Sequence, residues 1–532
     1  MGAPLNREIL HTMKRPTLAA LAATIALVAT PNADADLELS EVGAAALGKL
    51  TTFTVKGNPG DQFLLVASLV NSGTLPPPHQ PTNIDVGLEL ISLSFTIPGW
   101  LGTVGPGGTA QIFLPFPPDI SLDPLTLHFQ ALQHDGVLFT GKSNPCSLTP
   151  NIPLFTEPTL GTMEVLRAGH TMTELQDGRF LIIGGGPDGL VASFGQTSME
   201  LYDPCTQKFT KVGDLLSPRT SHTSTLLPDG RILVVGGADD VTGEPTAACE
   251  LIDPSNGYST TPTAGALSEP RALHTATLLP DGRVLIIGGT NLFNNSPQDL
   301  VENAPATTEL SDPVTDTFSP GPTMPQPRVG HNATVLPNLD VLITGGFSWI
   351  TVIGFKVPFI SDQAQRYTPN AGAGVLGAQM TMTSDRFGHT SVLKDDGKVL
   401  IFGGAKDQFA DPFNPLFIST VEEFDPQTDT FVPHGNLSMA RGIAALVKLP
   451  GDVIVAAGGA WGGLALALPD DTLDVYNGTF GSIQFTIQMT HVRANFTASL
   501  LDNGAILLAG GGEEGPIADP NNFDDAELLT LP

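Results

Sequence analysis

Charge of one sign is scarce in this chain of 532 residues: 24 Lys plus Arg stand against 54 Asp plus Glu, a formal net charge of −30. A surface of that sign repels phosphate backbones and anionic lipid, which argues against a nucleic-acid partner and leaves cations, neutral ligands or basic surfaces. Charged residues of both signs make up only 15 %, too few for the solvated faces of long helices or coiled coils. Cysteine is rare as well. Cys146, Cys205 and Cys249 are too few and too scattered for a disulfide framework or a four-cysteine zinc site. Aromatic residues reach 6 %, with three tryptophans and four tyrosines. No apolar run reaches the 18 or so residues that a membrane-crossing helix needs, so no transmembrane segment is expected.

Glycine and proline are plentiful, with 58 and 46 copies. Together they fill roughly a fifth of the chain where about an eighth is usual. Many tight turns and little helix follow, with length enough for two to four domains. Residues 1–35 have the form of an export signal. Lys14 and Arg15 precede the apolar stretch Thr17 to Thr30, and Ala33-Asp34-Ala35 has the small-x-small pattern of a cleavage site. Met13 offers a second possible start. The mature protein would begin near Asp36 and is expected to be secreted, periplasmic or at the cell surface.

The last two-thirds of the chain repeats. A Gly-Gly pair begins at residues 184, 236, 288, 345, 403, 458 and 510, and an arginine stands 17 residues before each, at 167, 219, 271, 328, 386, 441 and 493. The offset is the same seven times, so every change in unit length falls after the glycines. Within a unit, two apolar runs flank a turn. Asp177-Gly178, Asp229-Gly230, Asp281-Gly282 and Asp396-Gly397 read as two-residue hairpins, because such turns need positive φ. The second run, such as Val284-Leu285-Ile286-Ile287, is continuously apolar, as in a strand buried on both faces. A third strand ends in Asp-Pro at 203–204, 253–254, 312–313 and 425–426, and a short fourth follows at Phe209, Tyr258, Phe318 or Phe431.

Four antiparallel strands in about 50 residues make one propeller blade. The motif R-x-x-H-T-x-x-L-x-D-G-R-[VIL]-L-[IV]-[IV]-G-G followed by E-L-x-D-P, over residues 154–532, resembles a bacterial kelch repeat and is similar to the central propeller of galactose oxidase. The fold expected is all-β: a seven-bladed kelch-type β-propeller over 154–532, preceded by a small β-sandwich over 36–150. The seventh unit stops at its third strand, Glu527 to Pro532, whereas Leu154 to Leu160 mimics a fourth. That segment is expected to complete the last sheet and remove an open edge.

Candidate chemistry follows the repeat. His170, His222, His274, His331 and His389 lie three residues after their arginines, with Ala444 and Phe496 at that place in the last two units. Recurring once per blade, they stand too far apart to share an ion at about 2 Å, so packing roles are expected. The seven arginines could form a positive collar for a small anion. Pairing with the recurring acids is favoured: Glu200, Glu250, Glu309, Glu422, Asp474 and Glu527, with Gln365 in the fourth unit. Resemblance to galactose oxidase would imply a copper site of two tyrosines, one cross-linked to cysteine, and two histidines. Tyr202, Tyr258, Tyr367 and Tyr476 all fall at repeat positions and none precedes a histidine, so no ligand carries over and no cofactor is assigned.

Irregular sequence is confined to the loops after Gly-Gly. Those of blades one and two are short and polar; those of blades four to six are apolar. Trp349, Phe355, Phe359, Phe413, Phe417 and Trp461 are the candidate ligand-binding residues, with Asp407 and Asp411 as a conceivable calcium pair. Aromatic loops on adjacent blades suit a sugar ring or a protein side chain. Docking of the first domain, or mutual burial, is the plainer use. The expectation is a binding module for a protein or a glycan. The alternative is a carbohydrate-active enzyme (oxidase, hydrolase or lyase) on the same scaffold.

Overall fold

The computed structural model describes residues 156–530 except 160, 187–194, 240–243, 293–302, 354, 408–414, 462–467, 514–520 and 523, and before them the backbone of eight strands between 38 and 148. Those eight strands form two antiparallel sheets, the elements of the small β-sandwich. One holds Glu38–Val42, Leu50–Lys56 and Thr109–Pro115; the other holds Gln62–Ser68, Leu101–Thr103, Leu127–His134, Phe139–Lys142 and Cys146–Leu148. Residues 89–97, an apolar run in the sequence, and the Asp-Gly pair at 135–136 lie outside the described residues.

From 156 onward the chain makes seven antiparallel blade sheets in succession, each of four strands except the sixth, which adds the short strand Ala460–Trp461. The second strand of each explains why its sequence is apolar throughout. Phe180–Ile183 is fully buried, as are its counterparts Ile232–Val235, Val284–Ile287, Val341–Thr344, Val399–Phe402 and Ile506–Ala509. Alternate residues serve different cores. Leu181 and Ile183 pack with Ile232 and Val234 of blade two, while Phe180 and Ile182 pack with Leu507 and Ala509 of blade seven. The pattern repeats with Leu233 and Val235 against Val284 and Ile286, then Leu285 and Ile287 against Val341 and Ile343. A strand between two neighbours has no polar face, and each buried Val, Leu or Ile contributes about 2 kcal/mol.

Ring closure joins the ends of this region. Thr156–Pro158 pairs antiparallel with Ala526–Leu529, setting Leu528 against Glu157. The seventh sheet thus takes its outer strand from before the first blade.

The Asp-Gly hairpins differ from the two-residue turns expected. In blade three the Gly282 N–H donates to Leu279 O and the Leu279 N–H to Arg283 O, so the loop is Pro280-Asp281-Gly282. Only Gly282 has positive φ, at 84°. This is a type I turn with proline at its second position and a glycine bulge. Asp281 stays at negative φ, where its Oδ1 accepts the Arg283 N–H at 3.1 Å. Blade four builds the same turn without glycine: Leu339 takes φ 70° and lies half-exposed.

Candidate functional site: the loop face of blades four to six

The invariant spacing of 17 has a physical cause. Each arginine folds back onto its own Gly-Gly. Nη1 donates to the first glycine's carbonyl, at 3.0 Å for Arg167 and Gly184, 2.7 Å for Arg219 and Gly236, and 2.6 Å for Arg493 and Gly510. The second glycine's N–H then donates to the arginine carbonyl of the next blade, as Gly185 to Arg219 and Gly289 to Arg328. Gly511 closes the circle on Arg167 at 2.9 Å. A Cβ on Gly288 would lie 2.4 Å from Arg328 O at φ +58°, so glycine is required there.

The arginines are therefore no collar. All seven are fully buried. Six meet the acids expected: Arg167 with Glu200, Arg219 with Glu250, Arg271 with Glu309 at 2.7 Å, Arg386 with Glu422, Arg441 with Asp474, and Arg493 with Glu527 at 2.7 Å. Arg441, facing a shorter acid at 3.5 Å, also takes Asp470 at 3.0 Å. Arg328 has no such partner among the described residues.

The five histidines stitch blade to blade. His222 Nε2 meets Thr171 Oγ1 at 3.1 Å, His274 meets Thr223 at 2.9 Å, His331 meets Thr275 at 2.9 Å and His170 meets Thr497 at 2.8 Å. His389 instead uses Thr344, at 2.8 Å. Burial, reinforced by the neighbouring arginine, lowers His170, His274, His331 and His389 to about 3 and His222 well below its ordinary value. Among the described residues no three His, Cys, Asp or Glu side chains gather as metal ligands. The Tyr367 hydroxyl donates to Ala373 O at 3.1 Å, and that of Tyr476 donates to His434 O at 3.2 Å. This donor set does not fit a copper centre.

On the arginine rim, the loop after Gly345-Gly346 becomes a two-stranded hairpin, Phe347–Val352 with Phe355–Ile360. Its root is fixed by the bridge between Val329 and Phe347 and by Asp407, whose Oδ2 accepts the Ile360 N–H at 3.0 Å. Asp407 accepts nothing at Oδ1, and burial raises its carboxyl above the usual range. Phe347 and Ile360 are buried at the base, against Trp349 and Phe387.

The six sequence candidates separate here. Phe417 is buried with Ala405, Ala460 and Ala494 beneath the loops, so it supports the face and does not present one. Trp349 and Phe359 are half-buried, and the Lys356 ammonium covers the Trp349 ring at 4.2 Å. Phe413 lies outside the described residues, as do the side chains of Phe355 and Trp461; Asp411 does too. Exposure falls instead on aliphatic residues that composition did not single out: Ile350, Val357 and Ile353, the last 93 % exposed at the hairpin tip.

No family model matches the chain. It is similar to Adagio protein 3 of Arabidopsis thaliana, 26 % identical over 250 residues, which cover 45 % of this chain and 39 % of that protein. An Adagio-like protein 3 of Oryza sativa subsp. japonica is 25 % identical over 253 residues, 45 % of this chain and 38 % of the other. An F-box/kelch-repeat protein of Arabidopsis thaliana is 32 % identical over 81 residues, 14 % of this chain and 17 % of that one. The chain spans less than two-fifths of the length of the Adagio proteins it matches. Among solved structures it is similar to a fungal alcohol oxidase of the AA5 family in complex with copper, with TM-score 0.54 and 19 % identity over 71 % of this chain and 76 % of the other. Together with the seven sheets of the ring, these likenesses make the region from 156 onward a seven-bladed kelch-type β-propeller, similar in fold to that oxidase.

Proposed function

We propose that this protein is an exported binding module whose partner is a protein, engaged by the loop face of blades four to six. The observation that carries this reading is the hairpin 347–360, which holds Ile350, Ile353 and Val357 out of the disc. Branched aliphatic side chains gathered on a rigid support suit the apolar centre of a protein interface. A sugar needs a free aromatic face, and Lys356 already occupies that of Trp349. The kelch character of the relatives and the basic-then-apolar stretch from Lys14 to Thr30 support the same reading; the surplus of acids favours a basic or neutral partner over nucleic acid.

Proximity labelling in the producing cells tests it, comparing the wild type with Ile350→Ser/Ile353→Asp/Val357→Ser. Ile353 is 93 % exposed and Ile350 and Val357 are 43 % and 42 % exposed, so the variant's melting temperature is measured alongside. The expected result is loss of a defined set of labelled proteins. An unchanged set refutes the assignment. N-terminal sequencing of the protein from cell fractions checks export, with a mature start near Asp36 expected.

A further inference from the structure

Six blades share a three-part device. In five of them the arginine holds one oxygen of the acid and the N–H three residues before the arginine holds the other; in blade six both meet Asp474 Oδ2. Those N–H groups are Glu164, Leu216, Ser268, Thr383, Ser438 and Thr490, donating to Glu200, Glu250, Glu309, Glu422, Asp474 and Glu527 at 2.7–2.9 Å. Blade four departs at both places at once. Pro325 stands where the N–H should be and Gln365 where the acid should be. Proline has no donor to give, and Gln365 turns its Nε2 away to Gly377 O at 2.7 Å.

Arg328 is left alone with its charge. It is 1 % exposed. Nη1 keeps its bonds to Gly345 O and Gln363 O, each at 2.6 Å, but Nε and Nη2 have no partner. Burial pulls its pKa down to about 10, and Asp362 acts on it only from beyond ion-pair distance. Other buried atoms of blade four and of the loop after its Gly-Gly are unsatisfied too: Gln326 Oε1, Gln365 Oε1, Ser348 Oγ and Trp349 Nε1. Gln326 occupies the place of Ser217, whose Oγ takes the Nη2 of Arg219 at 3.0 Å. Apart from the recurrent arginine Nε and histidine Nδ1 atoms, most of the unpartnered buried polar atoms belong to blade four and the loops over it. A buried guanidinium without a counter-charge is costly, and a donor pair without an acceptor adds to that cost.

We propose that blade four binds a small monovalent oxyanion, of the size of formate or bicarbonate, on Nη2 of Arg328, where five of the other six blades place a carboxylate of their own. The anion supplies the missing negative charge and acceptor oxygens. A protonated oxyanion such as bicarbonate also offers a hydroxyl to the unsatisfied oxygens of Gln326 and Gln365. Arg328 is 1 % exposed, so a carboxylate on a large sugar or a folded partner does not reach it. The inference does not depend on the partner assigned to the loop face.

The test is thermal unfolding of the full chain at pH 8 and constant ionic strength, with sodium gluconate replaced stepwise by formate or by bicarbonate. Gluconate is too large for the site. The wild type is expected to gain about 2 °C for each tenfold rise in anion once the site is more than half filled. Pro325→Ser/Gln365→Glu restores the device of the other six blades, and is expected to melt higher in gluconate and to ignore formate and bicarbonate. Arg328→Met, if it folds, is expected to ignore them as well. A wild type that responds no more than Pro325→Ser/Gln365→Glu overturns the proposal, as does an equal response from Arg328→Met.

Discussion

Mild acid should loosen this propeller well before its carboxylates protonate, and the magnitude follows from the five blade-linking histidines. In the unfolded chain each takes a proton near its ordinary 6.5. In the folded chain four of them refuse it until about 3, and His222 is shifted in the same direction. Between those limits the unfolded state binds more protons, so stability falls as pH falls. It is intact above about pH 6.5. Each histidine then costs about 1.4 kcal/mol per pH unit. At pH 5.5 the five together cost about 7 kcal/mol, comparable with the whole stability of a typical domain. The assay is urea denaturation at pH 7.5, 6.5 and 5.5. His274→Phe and His331→Phe borrow the solution of Phe496, which holds the equivalent place in blade seven. Each is expected to weaken the pH dependence by about 1.4 kcal/mol between pH 7.5 and 5.5. Equal stability at pH 7.5 and 5.5, or phenylalanine variants with the wild-type dependence, would refute the burial argument.

Three further outcomes are expected. Glu309→Gln should cost about 3 kcal/mol in urea denaturation, because Arg271 is left charged and buried while the Ser268 N–H still needs an acceptor. Gly288→Ala should cost about 3 kcal/mol or more, since its Cβ would meet Arg328 O at 2.4 Å in a backbone region that disfavours side chains; a melting temperature within a degree of wild type would contradict the interlock. Leu339→Gly should raise stability by about 1 kcal/mol, because Leu339 holds φ 70° and is half-exposed; a lower melting temperature would show that its packing outweighs the strain.

Much of the architecture was legible because it is periodic. Seven equal offsets marked the blades, and continuous apolar runs such as Val284 to Ile287 marked strands flanked on both sides. Recurrence in register also paired the arginines with their acids. The turn type was not legible from Asp-Gly alone. The same dipeptide fits two hairpins, and Pro280 before Asp281 was the cue for the longer loop. The loop face was read only in outline. Aromatic composition located it, but composition does not say which ring is an anchor and which a contact. Phe417 sank under the loops and Trp349 acquired a lysine cover, while Ile353 took the tip. The missing acid beside Arg328 was visible as Gln365, whereas the matching loss at Pro325 attracts notice only after its six counterparts are seen donating.

The interlock of arginine and glycine pair runs without a break, since Gly511 returns to Arg167. An open stack of modules can shed its outermost member and keep the rest; a hoop has no outermost member to shed. Losing or duplicating one unit would strand two half-made joints at once, so the number of units resists gradual change. Within a unit, the stretch spanned by the arginine side chain is held to one length, while the stretch beyond the glycines can lengthen without disturbing any joint. Novelty in such a molecule accumulates there, and residues 347–360 are where this chain has spent that freedom most visibly.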